Sequence, residues 1–304
     1  MTNAFHFAVM NDFIYTGQVQ NYHIGFTFAV TTEVVGQSVL MHNCDPVSAH
    51  LYGRALTAGL LAAQHLKQGE KYNFVWKYQG EVRTLVVDVK HDNGFRGFIS
   101  PADLAGRGES TEKLLGDECR LDVVRSNKGR VVTASTAESI LQDPVNDLCF
   151  FFSYSDQVET DMCVMIGFDH DTEHPVGLCQ GLLLQALPDC DLELLERVRK
   201  RLSESTAREL MSCRDQTDTY FENVLQAIFA GEESAPDLVY SGRPAPYVDC
   251  TCDAEKILFV ANALPVEDRE DILAKQEDLR IHCEFCNKTF SKTAEECAAI
   301  WEDA

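Results

Sequence analysis

Hydrophobic and polar positions along the chain fall into three regimes. In the first, strand-like and helix-like stretches alternate. β-Branched and aromatic residues dominate "HIGFTFAVTTEVV", which reads as a strand region. In "DPVSAHLYGRALTAGLLAAQHL", Leu51, Leu56, Leu60, Leu61 and Leu66 recur among alanines at helical spacing, with Asp45-Pro46 as a start. The stretch "YNFVWKYQGEVRTLVVDVKHDNGFRGFIS" reads as consecutive strands turning at Gln79-Gly80 and Asn93-Gly94, the latter a strong hairpin signal. From Ala137 to about Tyr154 the pattern turns helical, with Pro144 interrupting or starting a helix, and "DMCVMIGF" is a short apolar strand. This order predicts an α+β core over 1–190, an antiparallel sheet packed by helices.

The second regime begins at Asp191. Charges alternate there with Leu192, Leu195, Val198, Leu202, Leu210, Phe221, Val224, Leu225 and Ile228, the pattern of amphipathic helices with one strongly charged side. "AGEESAPDLVYSGRPAPYVDC" then gathers Gly, Pro and Ser as a linker does. Residues 191–246 are read as a charged helical linker, and 247–304 as a small C-terminal domain.

Composition narrows the function. Hydrophobic residues make up 45% of the 304 positions, which excludes disorder of the whole chain. A formal charge of −22, from 48 acidic against 26 basic residues, repels phosphates and anionic headgroups, so no nucleic acid or membrane partner is expected. The N-terminal stretch lacks the pattern of a secretory signal, and no apolar run approaches the roughly 20 residues of a membrane span. The chain is read as soluble and cytoplasmic.

In a reducing compartment, clustered cysteines bind metal or do redox chemistry more often than they form a disulfide scaffold. Of twelve cysteines, Cys44, Cys119, Cys149, Cys163, Cys179, Cys190 and Cys213 are scattered and read as small hydrophobes. Cys250-Thr-Cys252 and Cys283-Glu-Phe-Cys286 are different: two close pairs in the last fifth of the chain. Zn²⁺ takes four thiolates at about 2.3 Å, and two local pairs supply them with little loop-closure cost. A thioredoxin-type redox pair is the weaker reading, because "IHCEFCNKTF" has no βαβ context. A domain this small that depends on one ion should unfold when the donors are lost.

His170-Asp-Thr-Glu-His174 fits the H-x-x-E-H metallopeptidase pattern, which needs both histidines on one helical face. Asp169, Asp171 and Pro175 argue instead for a loop. Tyr154-Ser-Asp-Gln157 reads as a helix stop. No G-x-S-x-G, P-loop or dinucleotide fingerprint occurs, and the chain is not expected to be an enzyme.

The C-x-C and C-x-x-C pairs, with the wording "CEFCN", resemble the signature of the heat shock protein 33 family of redox-regulated holdase chaperones. "HLYGRALTAGLLAAQHLKQGE", "GFRGF", "YSDQVET" and "GLLLQALP" resemble family stretches in the family's order. The sequence departs from the family pattern at Asp156, where a glutamate is usual, and at Asp253, where a serine is usual.

The resemblance implies that Cys250, Cys252, Cys283 and Cys286 hold one Zn²⁺ in a reduced, inactive form. It implies that oxidation forms the disulfides Cys250-Cys252 and Cys283-Cys286, releases zinc and unfolds the C-terminal domain and linker. Unfolding client proteins are then bound without ATP, and the active form is a homodimer. Leu192, Leu195, Leu210, Phe221, Val224 and Phe229 are the hydrophobic contacts a released linker would offer. The rival class is a constitutive zinc-ribbon protein that binds a protein partner. Cys297, outside the signature, is either a buried filler or an alternative disulfide partner.

Overall fold

A computed structural model describes residues 11–107, 110–212, 220–252 and 254–302. Of the positions discussed above, Cys213 and Asp253 lie outside these residues, as do residues 1–10 of the N-terminal stretch. The chain forms two compact units that divide after Val248.

The larger unit runs β1 (Phe13–Val19), β2 (Ile24–Val30), α1 (Thr32–Met41), α2 (Pro46–Ala62), β3 (Glu70–Tyr78), β4 (Thr84–Lys90) and β5 (Gly94–Ser100). It continues with α3 (Thr111–Leu115), β6 (Cys119–Asn127), β7 (Arg130–Ser139), α4 (Pro144–Ser155), β8 (Thr160–Phe168) and β9 (Val176–Ala186). Helices α5 (Leu192–Ser203), α6 (Ser205–Met211) and α7 (Tyr220–Ile228) precede the strands β10 (Leu238–Arg243) and β11 (Tyr247–Val248).

Two sheets form where one was expected. One has the order β10-β1-β2-β9-β8 and the other β11-β5-β4-β3-β6-β7. Every ladder in them is antiparallel except the short β11–β5 pairing. The architecture is α+β, as expected.

Helix α2 starts where the sequence places it: Pro46 opens the first turn and the Asp45 carboxylate accepts the Ser48 N–H at 2.9 Å. It is buried on nearly all sides, packed against β8 and β9 of one sheet and β4 of the other. Close packing explains its glycines: a Cβ on Gly53 would stand 2.7 Å from Ile166 Cδ1, and one on Gly59 2.9 Å from Val87 Cγ1. This helix and the facing strands make the first core, with Leu56, Phe74, Trp76 and Val87 fully enclosed.

Two local readings change, and the choice left open at Pro144 is decided. Ala137 to Ser139 belong to β7, not to a helix; β7 is an edge strand of small and polar residues, so no apolar alternation announced it. Pro144 begins α4, capped by Asp143, whose carboxylate accepts the N–H groups of Val145 and Asn146. Part of the stretch read as an irregular linker is β10, which pairs with β1 from Val19↔Leu238 to Ile14↔Arg243. Its side chains are mostly exposed, so backbone hydrogen bonds do much to hold it, with Leu238 and Tyr240 against the second core, and its short Leu238-Val239-Tyr240 run is hidden among Gly, Pro and Ser.

Helices α5, α6 and α7 fold back on the first sheet. The side chains at Leu194, Leu195, Val198, Leu202, Met211, Tyr220, Phe221, Val224, Leu225 and Ile228 form a second core with Ile24, Phe26, Phe28, Val30, Leu182 and Leu184. Phe221 is its centre, 4.9 Å between ring centroids from Tyr15 and 5.7 Å from Phe28. The charged side is fastened too: Glu232 accepts from Arg197 at 2.8 Å and from Arg201 at 2.6 Å.

The smaller unit contains α8 (Ala254–Ala263), α9 (Val266–Lys275), the hairpin β12 (Leu279–His282) and β13 (Thr289–Lys292), and α10 (Ala294–Glu302).

Candidate metal centre

The turn between β12 and β13 presents one cysteine pair. The Cys283 N–H donates to the Lys288 carbonyl at 3.0 Å, and the Asn287 N–H donates to the Cys283 carbonyl at 2.8 Å. Asn287 takes the left-handed conformation, φ 54°, that asparagine tolerates and that closes so tight a knuckle. Cys250 and Cys252 supply the second pair from the stretch before α8.

The four Sγ atoms lie within 4.8 Å of one another. Cys250 and Cys252 are 3.6 Å apart, Cys250 and Cys283 3.8 Å, and Cys252 and Cys283 3.2 Å. Four sulfurs at about 2.3 Å around a tetrahedral ion are about 3.8 Å apart, so this set fits a Zn²⁺ shell. Among the described residues it is the sole group of three or more His, Cys, Asp or Glu side chains that could hold a metal ion.

Electrostatics separate the sulfurs. Burial would push the Cys283 thiol up, but hydrogen bonds from the Cys252 thiol and from the backbone N–H groups of Cys286 and Phe285 outweigh it, bringing Cys283 down to about 7. Burial pushes Cys250 and Cys252 up. Of these three, Cys283 is thus the sulfur most ready to be a thiolate.

What surrounds the cluster is thin. The buried apolar residues of the smaller unit, among those described, are Ala261, Cys286, Ala294 and Cys297. Trp301 adds a hydrogen bond from Nε1 to the Ala261 carbonyl at 3.1 Å, and Arg269 lies 5.8 Å from its ring centroid. With so few fully buried apolar side chains among the described residues, bonds to the sulfurs would add substantially to its stability. Cys297 is fully buried, its Sγ directed at the Lys292 carbonyl, and stands outside the four-sulfur group.

The other candidates disperse. His170 to His174 lie in the loop between β8 and β9, with the exposed His174 Nδ1 3.2 Å from Asp171, so the two histidines share no helical face. Gln157, with φ 57°, ends α4 as a helix stop. Cys119, Cys149 and Cys179 are buried, and desolvation pushes each thiol up, Cys179 to about 11. Cys44, Cys163 and Cys190 are half-buried.

Of the linker residues, Leu195, Phe221, Val224 and Phe229 meet in the second core and Leu210 packs at its margin, whereas Leu192 is exposed. The sheet face beneath them was not singled out from the sequence. Its signal was present in "HIGFTFAV", where Ile24, Phe26, Phe28 and Val30 alternate with period two.

Comparison with known proteins agrees with this architecture. The family model described as "Hsp33 protein" matches residues 12–293. The chain is 26% identical to the 33 kDa chaperonin of Clostridium botulinum, over 97% of this chain and 99% of that protein. It is 25% identical to the 33 kDa chaperonin of Geobacter sulfurreducens, over 95% and 94%. In fold it is similar to the crystal structure of the 33 kDa chaperonin (heat shock protein 33 homolog) of Thermotoga maritima, with a TM-score of 0.80 and 20% identity, covering 97% of this chain and 99% of that one. With a family model matching nearly its whole length, the chain belongs to the Hsp33 protein family.

Proposed function

We propose that this protein is an ATP-independent holdase chaperone whose activity is switched on by oxidation of Cys250, Cys252, Cys283 and Cys286. The observation that carries the reading is the pairing of a four-sulfur cluster in a small unit, few of whose described apolar side chains are fully buried, with an amphipathic helical layer over an apolar sheet face upstream of it. The relatives' shared name, 33 kDa chaperonin, supports the chaperone class.

In the reduced state the four thiolates would hold one Zn²⁺, which when bound supplies cross-links between the two ends of the smaller unit. An oxidant such as peroxide or hypochlorite takes two electrons from each thiolate pair and, with protons from solvent, is reduced to water or to chloride and water, as Cys250-Cys252 and Cys283-Cys286 disulfides form. The donor set is then gone, and with it the order of residues 247–304. The layer 191–246 follows: its helices are dense in charge, bury one face only, and depend on docking for their order.

Release exposes two surfaces together. Leu195, Leu210, Phe221, Val224 and Phe229 leave with the helices to join Leu192, and Ile24, Phe26, Phe28, Val30, Leu182 and Leu184 remain on the sheet. Both are apolar and flanked by charge, suited to unfolding client proteins while keeping the complex soluble. The oxidised form is a homodimer in this reading.

The test is to oxidise the protein, follow zinc with a colorimetric chelator, and measure suppression of aggregation of an unfolding test protein. Release of one equivalent of zinc together with suppression is expected. Zinc release with unchanged aggregation overturns the chaperone reading and leaves a structural zinc ribbon. Peptide mapping should find Cys250-Cys252 and Cys283-Cys286. A Cys252-Cys283 bridge, across the shortest of the three separations among Cys250, Cys252 and Cys283, would overturn the pairing.

A further inference from the structure

The sheet face under α5–α7 is interrupted at one position. Gln180 sits in β9 opposite Val30 of β2 and Met165 of β8, on the side that carries Leu182 and Leu184, and is fully buried. Its Nε2 donates to the carbonyl of Met211, the last residue of α6, and lies 3.1 Å from the hydroxyl of Tyr220, the first residue of α7. That hydroxyl donates to the Leu210 carbonyl. One amide from the sheet therefore meets the end of one helix and the start of the next.

A helix leaves its last four carbonyls without partners inside the helix. Helix α6 has seven residues, so most of its carbonyls are of this kind. The Ser212 N–H serves the Glu209 carbonyl from within the chain, at 3.1 Å. Leu210 takes the Ser212 N–H and the Tyr220 hydroxyl from within the layer, whereas the Met211 carbonyl is served by Gln180, a group in place only while the layer lies on the sheet. Apolar contacts around them are non-directional and tolerate sliding, whereas a buried amide that must be paired admits one placement.

We infer that Gln180 and Tyr220 form a polar latch that positions α6 and α7 on the sheet and sets how readily the layer 192–229 is released. In the docked state the latch fixes the register of the helices. In the released state water satisfies the same groups, so the latch, unlike a leucine at the same place, gives specificity without adding to the apolar surface that must be exposed. Gln180 acts through the helices it holds and is a positioning residue. The inference rests on the reading of α5–α7 as the layer that leaves.

The test uses the full-length, reduced, zinc-loaded protein with Gln180→Met, Tyr220→Phe and the double variant. Hydrogen exchange is followed in α5, α6 and α7 and, as a reference, in α2 and β3. Each single variant is expected to speed exchange in α5–α7 roughly tenfold while α2 and β3 keep their rates and zinc stays stoichiometric. The double variant should fall short of the product of the singles, because both substitutions break one network. Equal acceleration in α2, multiplicative singles, or no acceleration overturns the latch. Should Gln180→Met fail to fold, Tyr220→Phe, which deletes one oxygen, carries the test alone.

Failure of the functional reading is distinguishable. If the layer opens in the variants and the reduced protein still does not suppress aggregation, the latch stands and the holdase proposal falls. If oxidised wild-type protein suppresses aggregation but the variants exchange as wild type, the reverse holds.

Discussion

Strand β9 has a core on each face, and the two are closed differently. On one side Cys179 and Leu183 look toward α2, itself enclosed by a second sheet; on the other, Leu182 and Leu184 are covered by α5–α7 alone. The enclosed core is apolar all round its central helix. The covered core has a helix with Arg, Lys and Glu on its outer face, so one layer stands between the sheet and water. The same hydrophobic effect drives both, and in the proposed switch it is the second, closed by a single layer, that opens.

The sharpest way to break this comparison is to cut one large side chain from each core. Phe74→Ala, in the enclosed core, should cost about 3–5 kcal/mol and shift the whole urea transition of the larger unit, with no gain of holdase activity in the reduced protein. Phe221→Ala, in the covered core, should cost about 2–4 kcal/mol, but the loss should appear as fast exchange confined to α5–α7 and as aggregation suppression without oxidation. If Phe221→Ala lowers the urea midpoint and spreads its effect to α2, the cores are one cooperative body and the distinction fails.

Acidity sharpens the contrast, because two carboxylates carry opposite signs. Burial pushes Asp12 up to about 6, only partly offset by the N–H groups of Glu33 and Val34 that it caps at the start of α1. Its folded value exceeds its unfolded one, so the native state holds the proton more tightly and stability falls as pH rises from about 4 to about 6. The drift should be on the order of 2–3 kcal/mol and should shrink in Asp12→Asn, as denaturant melts at pH 4.5 and 6.5 would show.

Glu232 is the reverse case and the smallest effect. Hydrogen bonds from Arg197, then from Arg201, outweigh its desolvation and hold the carboxylate down to about 2. Its folded value lies below its unfolded one, so its contribution is present above about pH 4.5 and is lost as pH falls toward 2. Exchange in α5 should quicken between pH 4.5 and 2.5 in the wild type and show no such dependence on Glu232 in Glu232→Gln. An unchanged profile in that variant would remove Glu232 from the fastening of the layer.

Much of this was legible in the chain because it is local. Asp45-Pro46 announces α2, Asn93-Gly94 announces the β4–β5 hairpin with Asn93 at φ 68°, and two cysteine pairs thirty residues apart announce a four-sulfur site. Loop residues Asp169 to Pro175 defeated the H-x-x-E-H pattern in the sequence, and the structure keeps them a loop. What failed was non-local. The mostly exposed edge strands β7 and β10 gain much of their order from backbone pairing, so their short apolar runs, Val131-Val132 and Leu238-Val239-Tyr240, do not alternate as a half-buried strand does. Gln180 stands among leucines as one more strand position until Met211 and Tyr220 are seen beside it.

By itself the sequence determined which residues carry chemistry and which faces are apolar, since cysteine spacing, capping and hydrophobic period are properties of neighbours along the chain. Tertiary structure alone decided what each apolar face is covered by: that α2 is shut between two sheets, that α5, α6 and α7 lie on the first sheet as a single outer layer, and that few of the described apolar side chains of the smaller unit are fully buried. The physical reason is that hydrophobic burial is non-directional, so an amphipathic stripe declares that it needs a partner without naming it. The partner is named by long-range strand pairing, which brings Leu238 beside Val19 and Gln180 beneath Tyr220.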